Sequence, residues 1–124
     1  MPRARSRTFR DAFSGAPRQF VVKDFCESYG VTQDTFTRLT GVSPRAVARW
    51  ASGHKPSAST QRRLTEINRL FTALSDLIKK EAIGPWLKQP NLAFDGSTPL
   101  QVIERGESDR LWRMVSQLES GEPG

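Results

Sequence analysis

The sequence predicts an all-α protein of about seven helices. Three observations predict it. Apolar residues recur every three or four positions in the structured segments, the spacing that lines one face of a helix. No segment alternates apolar and polar residues as a half-buried strand does. Ser, Thr and Pro open the segments and Gly closes them, which are helix start and stop signals.

Residues 1–17 read as a basic, disordered arm, with Arg3, Arg5, Arg7 and Arg10 followed by Gly15 and Pro17 and no periodicity. Residues 19–29 form a first helix on Phe20, Val21, Phe25, Cys26 and Tyr29, and Gly30 stops it. Thr32 caps a helix over 33–40, which Gly41 ends with a left-handed residue. Ser43 caps the next, with Pro44 at the first helical position, where proline costs nothing; it runs to about Ser52 and Gly53. Residues 53–57 are a polar loop.

The longest helix is expected over 59–80. Its apolar stripe is Leu64, Ile67, Leu70, Phe71, Leu74, Leu77 and Ile78. Positions 67, 71, 74 and 78 fit both a short coiled-coil seam for a dimer and an ordinary core face. After Gly84-Pro85 come a short segment at 86–89 and a loop at 90–96. Thr98 and Gln101 form a capping-box pattern with Pro99 at the first helical position, and that helix ends at Gly106. Ser108 then caps a last helix over 109–118, which Gly121 ends. Its apolar face is Leu111, Val115 and Leu118, with Trp112 and Met114 beside it.

Charge divides the chain. Residues 1–63 hold 12 Lys/Arg against 4 Asp/Glu, or +8; residues 64–124 hold 7 against 9, or −2. A cationic half is the footprint of a polyanion, most often nucleic acid, although arginine tails also serve only to solvate. No apolar run approaches the ~20 residues of a membrane span, and no apolar stretch follows the first arginines as a secretory signal requires. A cytoplasmic protein off the membrane is expected. A single cysteine, Cys26, excludes an intramolecular disulfide, and with a single histidine, His54, argues against a zinc site. Nucleophilic catalysis needs a base beside its nucleophile. Here His54 sits in a polar loop and Cys26 on an apolar face, and Gly-rich phosphate loops are missing. The expectation is no enzyme, no catalytic residue, no cofactor and no metal.

The most informative stretch is TQDTFTRLTGVSPRAVARWASG, residues 32–53. A helix-turn-helix needs a glycine in the turn, a small residue four before it and apolar residues that hold the pair together. Gly41, Thr37 and the set Phe36, Val42, Val47 and Trp50 meet these needs, while Thr40 stands in a slot that is usually apolar. With its Thr-Gln opening, Gly-Val-Ser turn and Val-x-x-Trp second helix, the stretch resembles the Xre family of phage-repressor-like DNA-binding domains over residues 18–75. On the second helix, Pro44, Arg45, Ala48 and Arg49 lie free of packing, and the capping Ser43 is expected to join them on the DNA. Arg45 and Arg49 share one face and suit bidentate bonds to guanine. Gln33, Thr35, His54 and Lys55 are expected on phosphates, although His54 reads more readily as an exposed loop residue without a role.

In residues 83–121 the pattern Trp-Leu-x-x-Pro-Asn-x-x-Phe-x-Gly-x-x-Pro-Leu stands out. It closely resembles the toxin-binding domain of the Xre/MbcA/ParS antitoxin family. Members join an Xre-like domain to this one, are encoded beside a RES-domain toxin that consumes NAD, cover the toxin's NAD site and repress the shared operon. The resemblance implies a helix-turn-helix domain over 18–58, a linking or dimerising helix over 59–81 and a toxin-binding domain over 82–124. It implies toxin contacts at Trp86, Pro90, Asn91, Phe94, Gly96, Pro99, Leu100 and, in the acidic tail, Glu119 and Glu122; Trp86 reads equally as core. One departure is Ser108 after Glu107, where the family often has Gly. The implied partners are double-stranded operator DNA, a RES-domain toxin, a second copy in a homodimer and a higher hetero-oligomer with toxin. The alternative is a stand-alone dimeric helix-turn-helix regulator without a toxin. A pure protein-interaction module conflicts with the +8 half and with Arg45 and Arg49.

Overall fold

Helix signals in the sequence are local, and the computed structural model, which describes residues 22–121, places helices where most of them stand. The described residues form α1 (Val22–Tyr29), α2 (Gln33–Thr40), α3 (Pro44–Ala51), α4 (Ala58–Leu74), α5 (Ile83–Leu87), α6 (Pro99–Glu104) and α7 (Ser108–Glu119). Short 3₁₀ turns occupy Lys80–Ala82 and Leu92–Phe94. No strand occurs among the described residues, so the fold is all-α. The expected arm at 1–17, together with Phe20, Val21 and Glu122, lies outside the described residues.

Caps set the helix starts. The hydroxyls of Thr32, Ser43 and Ser57 accept from Thr35, Ala46 and Thr60 backbone N–H at 3.1, 3.1 and 3.2 Å. At Thr98 both halves of the box form: Gln101 N–H donates to the Thr98 hydroxyl at 3.0 Å, and Thr98 N–H donates to Gln101 Oε1 at 2.9 Å.

The apolar stripes then meet. Phe25, Tyr29 and Phe71 stack with ring centroids 4.9–5.1 Å apart, and Phe36 joins Phe25 edge-on at 5.6 Å. One contiguous cluster of buried side chains runs from Val22 to Val115. It floors both the α2–α3 pair and the segment after α5.

Two elements, α4 and α7, differ from expectation. The long helix stops at Leu74 rather than Lys80. Ser75 N–H bonds Phe71 O at 2.9 Å and its hydroxyl donates to Thr72 O at 2.6 Å, after which the chain turns. It turns so that residues 81–84 can lie against the end of α1. A Cβ on Gly84 would overlap the Gly30 carbonyl oxygen and sit 3.1 Å from Tyr29 O. Ile67, Phe71 and Leu74 of the suspected seam are buried within the chain itself, so that stripe is core. Ser108 is the first residue of α7 rather than its cap; Glu107 takes the cap position, and its carboxylate bonds Arg110 at 3.2 Å instead of the helix N-terminus. Leu118, expected on the buried face, is 53% exposed because α7 outruns the core beyond Val115.

The α2–α6 contact carries a bidentate ion pair. Arg38 Nε and Nη2 donate to Glu104 Oε2 and Oε1 at 2.8 and 3.0 Å. The Arg38 hydrogen bond holds the Glu104 carboxyl below its ordinary 4.5 and raises the guanidinium in turn. The folded state therefore binds this proton less readily than the unfolded state. The resulting stabilisation is complete above pH 4.5 and is lost as pH falls through the lowered Glu104 value. Both side chains are about a third or more exposed, so it amounts to at most about 1 kcal/mol. Melting curves against pH check this: Glu104→Gln lowers the midpoint slightly at neutral pH, and the gap from the unaltered chain closes in acid.

Candidate functional site

Two surfaces of unlike chemistry flank the shared core. The first is built on α2 and α3. Gly41 joins them at φ 73° and ψ 11°, and its N–H closes on Thr37 O at 2.7 Å. A Cβ there would be conformationally strained and would sit 3.1 Å from Arg63 Nη1. Thr40, in the slot that is usually apolar, is 1% exposed but fully bonded. Its hydroxyl donates to Phe36 O at 2.9 Å and accepts from Val42 N–H at 3.2 Å, so the polar atom braces the turn.

Val47 and Trp50 hold α3 against the core, and the opposite face turns outward. Pro44, Arg45, Ala48 and Arg49 are all exposed, with Ser43 at their head. Among the described residues no carboxylate pairs with Arg45 or Arg49. Residues 35–65 carry six Lys/Arg and no Asp or Glu. Gln33, His54 and Lys55 are exposed near this face. Thr35, expected on a phosphate, is 1% exposed, and its hydroxyl accepts from Thr32 Oγ1 at 3.0 Å, so its side chain is packed at the start of α2. Sequence reading missed Arg63, whose Nη1 donates to Thr40 O at 2.8 Å. The carboxylate-free run around it was the available signal.

The second surface lies past α5. Asn91 organises its loop: Oδ1 accepts from Ala93 N–H at 2.9 Å, and its carbonyl accepts from Phe94 and Gly96 N–H at 2.9 and 3.0 Å. Asp95 follows at φ 57°, held by Arg110 at 3.3 Å, while the Arg110 guanidinium also lies 5.7 Å from the Phe94 ring centroid. Phe94 and Leu100 are each 2% exposed and Pro99 is buried. These three, expected as toxin contacts, are packed in the core of the chain. Pro90, Gly96 and Glu119 are exposed. Trp86 is half-buried and, with Asn91, lines an open groove with Leu77, Ile78, Met114 and Leu118. Leu92 stands beside them 93% exposed.

Cys26 packs half-buried against the core. Burial, with the nearby Glu27 charge, raises its thiol pKa, which disfavours the reactive thiolate. Among the described residues no cluster of His, Cys, Asp or Glu could hold a metal ion, and no helix is long and apolar enough to cross a membrane.

No family model matches the chain. The chain is 26% identical over 102 residues to the mycobacterial cidal antitoxin MbcA of Mycobacterium tuberculosis, covering 82% of this chain and 90% of that protein. It is 31% identical over 100 residues to a probable mycobacterial cidal antitoxin of the same organism, covering 80% of this chain and 83% of that one. In fold it is similar to a chain in the crystal structure of the M. tuberculosis MbcT–MbcA toxin–antitoxin complex, with a TM-score of 0.64 and 24% identity over 82% of this chain and 92% of that chain.

Proposed function

The chain belongs to the mycobacterial cidal antitoxin family, and on that premise we propose that it neutralises a RES-domain, NAD-consuming toxin and represses its own operon by binding operator DNA as a dimer. The observation that carries this reading is the pairing of the two surfaces. A carboxylate-free helix face bearing Arg45 and Arg49 suits the major groove of DNA. An apolar groove bearing Trp86 and Leu118 suits a protein. The order of parts follows: a helix-turn-helix over 18–58, a linking stretch over 59–81 and a toxin-binding segment over 82–124. Arg45 and Arg49 read bases, with Ser43, Pro44 and Ala48 closing on the same groove, and Gln33, His54 and Lys55 meet phosphates.

On the toxin side, Trp86, Asn91, Met114 and Leu118 form the seat. Pro90 and Gly96 flank it, and the tail from Glu119 to Glu122 offers carboxylates to cations that would otherwise hold NAD phosphates. Co-expression with the product of the neighbouring reading frame, followed by pull-down and a cellular NAD assay, tests the proposal. A stable complex that restores NAD and growth is expected. Leu118→Glu should weaken the complex at least tenfold, roughly the loss of one anchor side chain, with little change in melting because the residue is half exposed. Removing residues 119–124 should weaken inhibition. A chain that binds DNA but shows neither complex nor rescue would be a stand-alone regulator.

A further inference from the structure

Between α3 and α4 runs a groove lined by Arg49, His54, Lys55 and Arg63, with no carboxylate on its wall. All four cationic or titratable side chains are exposed. Two of them are held in place. His54 Nδ1 lies 3.2 Å from Arg49 O, a carbonyl that can only accept, so Nδ1 carries the proton and the ring is tied to the end of α3. Arg63 Nη1 donates to Thr40 O at 2.8 Å, at the turn between α2 and α3. A guanidinium has five N–H donors in a planar fork, and this bond uses one. The remaining donors make no ion pair with a carboxylate among the described residues. Three clustered cations, Arg49, Lys55 and Arg63, with no ion-pair partner among the described residues, are arranged for an anion.

We propose that this groove seats the phosphate backbone of double-stranded DNA, and that Arg63, which lies outside the base-reading helix, neutralises one phosphate while its Nη1 stays on Thr40 O. This rests on the DNA-binding reading above and gives it a part the recognition helix does not supply. One guanidinium then joins the backbone of the duplex to the turn that aims α3. The phosphate fixes the register in which Arg45 and Arg49 meet base edges.

Affinity for operator and for random duplex, measured across salt concentrations, tests it. Each phosphate neutralised contributes about 0.9 to the slope of log affinity against log salt for duplex DNA. Arg63→Gln should lower that slope by about 0.9 and weaken both duplexes by the same factor, whereas Arg63→Lys should keep the slope. Lys55→Gln, at a side chain with no hydrogen bond to lose, should give the same drop with unchanged melting. If the unaltered chain binds DNA and both glutamine variants keep its slope, Arg63 is only a brace for the turn and the inference is overturned. If the unaltered chain binds no duplex at any salt, the DNA-binding reading fails and this inference with it.

Discussion

Gly84→Ala should lower stability by about 3 kcal/mol or more, the upper range for forcing atoms into packed space. For a chain of this size that is a fall of about 12 °C or more in the melting midpoint. The sign is what makes the test strong. Gly84 lies inside α5, and on helix propensity alone alanine there would stabilise by up to about 1 kcal/mol. Packing says the reverse, because the added methyl would overlap the Gly30 carbonyl oxygen, which is backbone and cannot rotate away. Relief would require α5 to retreat from the end of α1, where Gly84 meets the Gly30 and Tyr29 carbonyls. Thermal melting of the single variant decides between the two, and a raised midpoint would show that the α1–α5 crossing is looser than described.

The double variant Arg45→Ala, Arg49→Ala should lose about a hundredfold or more in operator affinity, since each bidentate arginine–guanine pair contributes about 1–3 kcal/mol of discrimination. Binding to random duplex should fall much less, because phosphate contacts elsewhere on the surface persist. Melting should stay unchanged, for both side chains are exposed and unpaired among the described residues. A gel-shift series with operator and random competitor reads both effects. Equal loss on the two duplexes would make these arginines backbone contacts rather than base readers.

Much of the fold was legible in the sequence because its signals are local. Thr32, Ser43 with Pro44, and Thr98 with Gln101 mark helix starts through bonds that span three residues. The end of α4 was not legible. Past Leu74 the chain turns and brings Gly84 against Gly30, positions far apart in sequence, an approach that no local spacing announces. The surfaces were legible in part. The outer face of α3 follows from helical spacing once Val47 and Trp50 are taken as packing residues. The motif around Phe94 and Leu100 marks residues that matter without telling whether they matter as core or as surface, and these two are core. Thr35 sits at a helix N-terminus where an exposed hydroxyl is expected, but it is 1% exposed and accepts a bond from the Thr32 hydroxyl. Arg63 acts across the fold on Thr40, which no helix-local spacing reveals.

The single buried cluster from Val22 to Val115 has a consequence for how the molecule comes apart. A protein built as two independently folding lobes can shed one and keep the other. Here Val47 and Trp50 of the arginine-bearing helix belong to the same buried cluster as Phe94, Leu100 and Val115 on the side of the apolar groove. Amides on both sides should exchange with solvent through one shared opening event. A ligand that binds either face holds that opening closed, and so slows exchange and protease attack on the far side as well as its own.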